Sequence, residues 1–168
     1  MPATLDELVS RIRESHFAFP PASESAINSA RSSNVPQDLL DFYIRCDGEP
    51  LCDGSDFSAP NGDRYRVKIP RLIEFQTTQS HGYIFDDSPF YKQSANWWQI
   101  ADYGDANWLA FDGNAETKGR IIDIFHETVG ESGYHNVVAL SLTDMLTRLL
   151  DRGDVYWLDD DFQIPGSF

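Results

Sequence analysis

The chain is short of three things, and each shortage narrows what it can be. Cysteine occurs only twice, as Cys46 and Cys52. That is too few for a disulfide framework, and the spacing is neither a zinc knuckle nor a thioredoxin-like pair. Reduced, partly buried thiols are expected. Long apolar runs are missing, since none approaches the roughly 20 residues that span a bilayer. Met1 to Ser15 also mixes Asp6, Glu7, Arg11, Arg13 and Glu14 among its apolar residues. A signal peptide needs a basic start and an unbroken apolar stretch, so a cytoplasmic location is expected. Basic residues are scarce too: 13 Lys and Arg stand against 27 Asp and Glu, for a formal net charge of −14. This balance argues against nucleic-acid binding, which needs a basic surface to displace counterions. It likewise disfavours anionic membranes. It suits a fast, steered encounter with a basic protein, or it serves solubility alone.

The signatures of common chemistries are absent as well. There is no Gly-x-Ser-x-Gly elbow, and neither cysteine stands beside a histidine, so no nucleophile comes with a base. His126 and His135 lie on the two sides of a glycine-rich segment, 130–133, and could converge. A zinc site there would need two more ligands, with Asp123 and Glu127 nearest, and no His-Glu-x-x-His motif exists. Gly113 to Gly119 holds two glycines and Lys118 but not the Gly-Lys-Ser/Thr of a phosphate loop, and it reads as a hairpin loop. Acid pairs abound, at Asp86-Asp87, Asp102/Asp105 and Asp159-Asp160-Asp161. A glycosidase needs two carboxylates opposed across a cleft, and a calcium loop needs alternating acids with a central Gly and a late Glu. Turn and capping roles account for most of these acids. No catalytic residue, metal or cofactor is expected.

What is present describes a single α+β domain over residues 1–168. Leu5, Leu8, Val9 and Ile12 recur at helical spacing behind Thr4, with Glu7 placed to complete a capping box. A second, serine- and alanine-rich helix is expected from Pro21 to Ser32. A third begins at Pro36, buries Leu39, Leu40, Tyr43 and Ile44, and ends at Gly48. Residues 46–63 carry turn chemistry and read as irregular or as a short hairpin. Tyr65, Val67 and Ile69 then alternate with Arg64, Arg66 and Lys68, the pattern of a strand with one wet face. Further strands are expected at Tyr83 to Phe85, Trp108 to Phe111, Arg120 to His126 and Val137 to Leu140. Ser141 and Asp144 cap a closing helix whose apolar face is Leu142, Met145, Leu146, Leu149 and Leu150, with Gly153 at its end. The helices of residues 4–46 and 141–152 should pack on one face of a mostly antiparallel, curved sheet built from residues 64–140.

Two patterned segments carry a resemblance. The first runs Val35-Pro36-Gln37-Asp38-Leu39-Leu40-Asp41-Phe42-Tyr43 and closes at Asp47-Gly48. The second runs from Trp97-Trp98-Gln99-Ile100-Ala101-Asp102-Tyr103-Gly104-Asp105 to Trp108-Leu109-Ala110-Phe111-Asp112, followed by Gly119-Arg120-Ile121-Ile122-Asp123-Ile124. Their order and spacing resemble the SMI1/KNR4 family (SUKH superfamily) over roughly residues 20–152. That family shows a Leu-Pro-led helix ending in Asn-Gly, an Ile-Ala-x-x-Gly-Asp strand start, a hairpin and a C-terminal helix. Val35 stands for the Leu and Asp47 for the Asn, both mild changes. The resemblance implies the same α+β layout and a mostly non-enzymatic role. Bacterial members are often immunity proteins that neutralise a partner toxin, and some fungal members serve as intracellular regulatory or scaffold modules. A nuclease toxin would have a basic active site, because it grips phosphates, and a carboxylate-rich surface could mimic its substrate.

Two stretches combine aromatic and acidic residues: Tyr83 to Trp98, and Asp154 to Phe162. Aromatic anchors ringed by carboxylates suit binding to a basic protein surface. The same pattern arises when the aromatics are core and the acids their solvated flanks, or when Tyr156 and Trp157 pin the tail. If a partner is bound, the expected contributors are Asp86, Asp87, Asp105, Asp112, Glu127, Asp159 and Asp160, with Tyr91 and Trp157 as aromatic anchors.

Overall fold

The computed structural model describes residues 3–15, 20–50, 57–58, 64–65, 67–104, 106–152, 155–159 and 161–167. Helix α1 (Leu5–Ser15) starts in the expected capping box: the Glu7 amide donates to Thr4 Oγ1 (3.3 Å) and the Thr4 amide to Glu7 Oε2 (2.7 Å). Helix α2 (Glu24–Ser32) begins later than Pro21 because Ser23 is the effective cap, its Oγ accepting from the Ala26 amide at 3.2 Å. Helix α3 (Gln37–Tyr43) follows Pro36 and stops well short of Gly48. Gly48 instead turns the chain at φ +79° against the next strands, where a Cβ would lie 2.6 Å from the Pro70 carbonyl oxygen. Beside it, the buried Asp47 carboxylate accepts from the Leu72 amide (2.7 Å) and pairs with Arg71 (3.0 Å). Asp47-Gly48 is therefore a clasp between segments rather than a helix end.

Strands β1 (Glu49–Pro50), β2 (Phe57–Ser58), β3 (Arg64–Tyr65) and β4 (Lys68–Ile69) are short. β2 and β3 pair antiparallel by themselves, so the basic alternating stretch is divided between two sheets. The remainder of the chain forms α4 (Tyr91–Ser94), β5 (Trp97–Gly104), β6 (Asn107–Asp112), β7 (Ile121–Ile124), β8 (Asn136–Ala139), α5 (Leu142–Arg152) and β9 (Gly166–Ser167). The main sheet has seven strands in the order β1-β4-β5-β6-β7-β8-β9, every pair antiparallel. Residues 83–85, expected as a strand, form no ladder; Ile84 is buried while Tyr83 and Phe85 point outward. Cys46 is buried. Cys52 and Gly153 lie outside the described residues.

The sheet has a core on each side. Leu109 and Phe111 of β6 face α1, α3 and α5, in a core with Leu8, Leu40, Met145 and Leu146. The alternate residues Trp108 and Ala110 join Ile84, Phe90, Trp97, Ile122 and Ile124 in a second core on the opposite face. Among the described residues, no helix longer than the one-turn α4 covers that second face. The segments around 78–96 and 125–135 do so, through Ile84, Phe90, Tyr91 and Val129. Trp108 Nε1 donates to the buried Thr78 hydroxyl (3.1 Å), which ties the first segment to the sheet. The expected one-sided packing of helices is thus one half of the arrangement.

Helix α5 is held by burial of Leu146 and Leu149 and by its N-terminal box, in which the Asp144 amide donates to Ser141 Oγ (3.0 Å) and the Leu140 amide to Asp144 Oδ2 (3.1 Å). We propose that the chain unfolds as one unit. Leu149→Ala is expected to lower stability by about 2–5 kcal/mol, the cost of a core truncation, with one denaturant transition retained. Parent-like stability, or two separated transitions, would contradict this.

Candidate functional site

The two segments that close the second core lie side by side. Ser88 Oγ donates to the Gly130 carbonyl (2.8 Å), and His135 Nε2 accepts from the Gly130 amide (3.2 Å). The His135 ring meets Phe90 edge-on with centroids 4.6 Å apart, so each loop packs on the other through one buried histidine. Burying their apolar residues inward turns the rest outward. Asp86, Asp87, Glu127 and Glu131 are exposed, and so are Tyr83, Phe85, Phe125 and Tyr134, with Phe85 at 71% and Tyr134 at 54%. Residues 83–91 and 125–135 contain no lysine or arginine.

Charge pairing separates this surface from the helical one. On the helical side, Asp6 pairs with Arg45 (2.5 Å), Asp151 with Arg11 (2.7 Å) and Asp144 with Arg148 (2.9 Å). Lys68 and Arg71 of the basic stretch are matched by Glu74 and Asp47. Among the described residues, no ion pair reaches Asp86, Asp87, Glu127 or Glu131. The exposed pairs add little to stability, and they offset part of the negative charge on the helices, where Glu14, Glu24 and Asp38 stay without an ion pair among the described residues, as the four loop carboxylates do.

The individual candidates fare differently. Asp86, Asp87 and Glu127 lie on this surface. Tyr91 stands at its edge, half-buried against the second core, with its carbonyl accepting from Gln79 Nε2 (2.8 Å). Asp105 and Asp160 lie outside the described residues. Asp112 must be corrected: it is 0% exposed. Its carboxylate accepts from the Asn114 amide (2.9 Å), from Asn114 Nδ2 (2.7 Å) and from the Thr117 hydroxyl, and so closes the β6–β7 loop instead of facing a partner. Trp157 is corrected as well. It is buried at 7% exposure and packs edge-on against Tyr103 (5.3 Å), beside Tyr156, whose hydroxyl donates to the Val138 carbonyl (3.2 Å). It holds the tail to the body and does not protrude. Asp159 is already paired with Arg152. Phe125, Glu131 and Tyr134 were not among the candidates; the signal for them is the glycine-rich 130–133 segment, which can only be a loop.

The chemical options are narrow. His126 Nδ1 meets Asn107 Oδ1 (3.0 Å), while His135 is inside the second core, so the two histidines do not form a metal site. Among the described residues, no group of three or more His, Cys, Asp or Glu side chains is placed to hold a metal. A groove of about 370 Å³ runs between α2 and the Leu72–Phe75 stretch, but its lining is serine, alanine and apolar, with no titratable side chain. No helix among the described residues is long and apolar enough to cross a membrane.

Comparison with known proteins adds two findings. The model of the SMI1 / KNR4 family (SUKH-1) matches residues 21–148, a span that includes both loops. The chain is also 30% identical over 135 residues to the immunity protein YokJ of Bacillus subtilis (strain 168), covering 79% of this chain and 76% of that one. No solved structure matches.

Burial holds the His135 imidazole down to about 4. The unfolded chain would take up this proton near 6.5, so the folded loops resist protonation across the window between the two values. The stabilising contribution is complete above about pH 6.5 and falls as the pH drops towards 4. The C–H resonances of His135 should therefore report a neutral ring down to about pH 4, alongside declining global stability. Titration of His135 near 6.5 in the folded protein would contradict its burial between the loops.

Proposed function

The chain belongs to the SMI1/KNR4 (SUKH-1) family, and from that premise we propose that it is an immunity-type protein that binds and neutralises a basic toxin domain. The observation that carries the partner's chemistry is the group Asp86, Asp87, Glu127 and Glu131: four exposed carboxylates without counter-ions among the described residues, interleaved with four exposed aromatics. Aromatics give a binding surface its desolvated anchors, and unscreened carboxylates speed encounter with a cationic partner. The immunity protein among its relatives supports the same reading. A nuclease fits this partner best, since a site that grips phosphate is basic and a cluster of carboxylates can occupy it. On this reading the protein acts by occlusion, not by catalysis, and it works in the cytoplasm beside the toxin's target.

Co-expression with the toxin domain encoded next to it tests the proposal. The wild-type protein is expected to restore growth, and its association rate should fall as salt rises. Asp86→Lys with Asp87→Lys, or Glu127→Lys with Glu131→Lys, should slow association by about tenfold or more while the thermal midpoint stays near the parent value. Matching reversals of Asp6 and Asp151 should leave association nearly unchanged. Absence of protection would favour the regulatory or scaffold role instead. Protection without salt dependence would remove the electrostatic part of the proposal.

A further inference from the structure

The two loops of the proposed surface are joined at one point, and Ser88 commits all its polar groups there. Its amide donates to the Phe85 carbonyl (3.0 Å) and its carbonyl accepts from the Tyr91 amide (3.1 Å). Its hydroxyl accepts from the Phe90 amide (3.2 Å) and donates to the Gly130 carbonyl (2.8 Å). Among the described residues, this last is the one hydrogen bond between residues 83–91 and 125–135. Gly130 is held from its other end as well, its amide donating to His135 Nε2 (3.2 Å). Because that nitrogen accepts, the proton of the neutral ring is on Nδ1, which is buried without a hydrogen-bond partner among the described residues. The fold therefore tolerates an unmet donor, which is costly, while keeping an acceptor at Gly130. Only glycine fits between the two anchors: the backbone is at φ +93°, and a Cβ would lie 3.2 Å from Ser88 Oγ.

The chain neighbours of the joined residues are Asp87 and Glu131, both exposed. Consecutive Cα atoms are about 3.8 Å apart, so contact between Ser88 and Gly130 brings these two acids to one seam. Neither has an ion pair among the described residues, and like charges repel. Asp86 and Glu127 add the same sign to the two loops. We propose that Ser88, Gly130 and His135 form a pin that holds two like-charged loops together, and that they are positioning residues which fix the spacing of the loop carboxylates before a partner binds. The inference rests on the reading of the two loops as the binding surface, and it adds what sets the shape of that surface. Ile84, Phe90 and Val129 seat the loops on the sheet, while the pin sets one loop against the other. A surface ordered in advance avoids part of the ordering cost of association. Loss of the pin leaves every charge in place, so steering persists while the bound complex loosens.

Ser88→Ala removes the cross-loop donor at a half-buried position without touching a carboxylate or a core side chain. The first readout is amide hydrogen exchange of the free, full-length protein, as protection factors, in about 10 mM and about 1 M salt, where the Debye length is about 30 Å and about 3 Å. The reporter is the Gly130 amide, which bonds to His135 and not to Ser88. In Ser88→Ala at low salt it is expected to lose protection by about three- to tenfold, the worth of one hydrogen bond. Most of the loss should be recovered at high salt or by adding Glu131→Gln, and the amides of α5 should keep parent values. Ser88→Thr, which retains the hydroxyl, should behave as the parent. Unchanged protection of Gly130 in Ser88→Ala would overturn the proposal. So would a loss that is equal at both salt concentrations and insensitive to Glu131→Gln, which is what a merely structural hydrogen bond would give. With the toxin domain, Ser88→Ala should keep the association rate within about twofold and raise the dissociation rate by about tenfold; dissociation at the parent rate would also overturn the proposal. The exchange arm needs no partner, so its failure leaves the charge reversals and the protection assay standing. The expected exchange result without any protection in cells would keep the pin and remove the immunity reading.

Discussion

The rest of the structure depends on the burial of β6 on both faces. Every residue from Asn107 to Asp112 is buried, so the sheet cannot leave one side in water, as many antiparallel sheets do. The longer helices cover only one side. The other must be closed by chain without a long helix, and the 78–96 and 125–135 segments do it by inserting Ile84, Phe90 and Val129. Irregular segments close-packed on a sheet need internal ties to satisfy their backbone polar groups. Ser88, Gly130 and His135 supply those ties. Once these side chains are committed inward, their neighbours Phe85, Asp86, Asp87, Glu127 and Tyr134 have only the outside to occupy. The proposed binding surface is in this sense a by-product of closing the second core.

The charge of the chain is distributed by the same architecture. Helices bring acids and bases together at short range or across packed elements, as Arg148 with Asp144 and Arg11 with Asp151. Residues 83–91 and 125–135 contain no lysine or arginine to pair with. Part of the net charge of −14 therefore lies without counter-ions among exposed aromatics, at Asp86, Asp87, Glu127 and Glu131. A uniform negative coat would serve solubility. Unpaired carboxylates set among exposed aromatic rings support the proposed encounter with a cationic surface.

Much of this was legible in the residues, and the failures have physical causes. Capping boxes at Thr4–Glu7 and Ser141–Asp144 and the apolar face of α5 are local patterns, and they translate directly into structure. The unbroken Trp108-Leu109-Ala110-Phe111 run carried the information that both faces are buried, but not which segment would cover the second face. Asp112 was misplaced because an acid before Gly113 looks like a solvated turn; the polar residues at Asn114 and Thr117 were the sign of an inward, self-satisfied loop. Trp157 and Phe125 differ in exposure for reasons that no local pattern encodes: Tyr103, distant in sequence, packs on Trp157, while Phe125 meets only its neighbour His126 among the described rings and stays exposed. Gly48 read as a helix end because its role depends on Pro70, likewise distant in sequence.

The central claim is that the unpaired loop carboxylates, not the paired helical ones, meet the partner. Carbodiimide labelling of carboxyl groups, read by mass spectrometry with and without the bound toxin domain, tests it most directly. Protection of Asp86, Asp87, Glu127 and Glu131 in the complex, with Asp6, Asp144 and Asp151 labelled as in the free protein, is the predicted result. Protection confined to the helical acids, with the loop carboxylates still reactive, would contradict it.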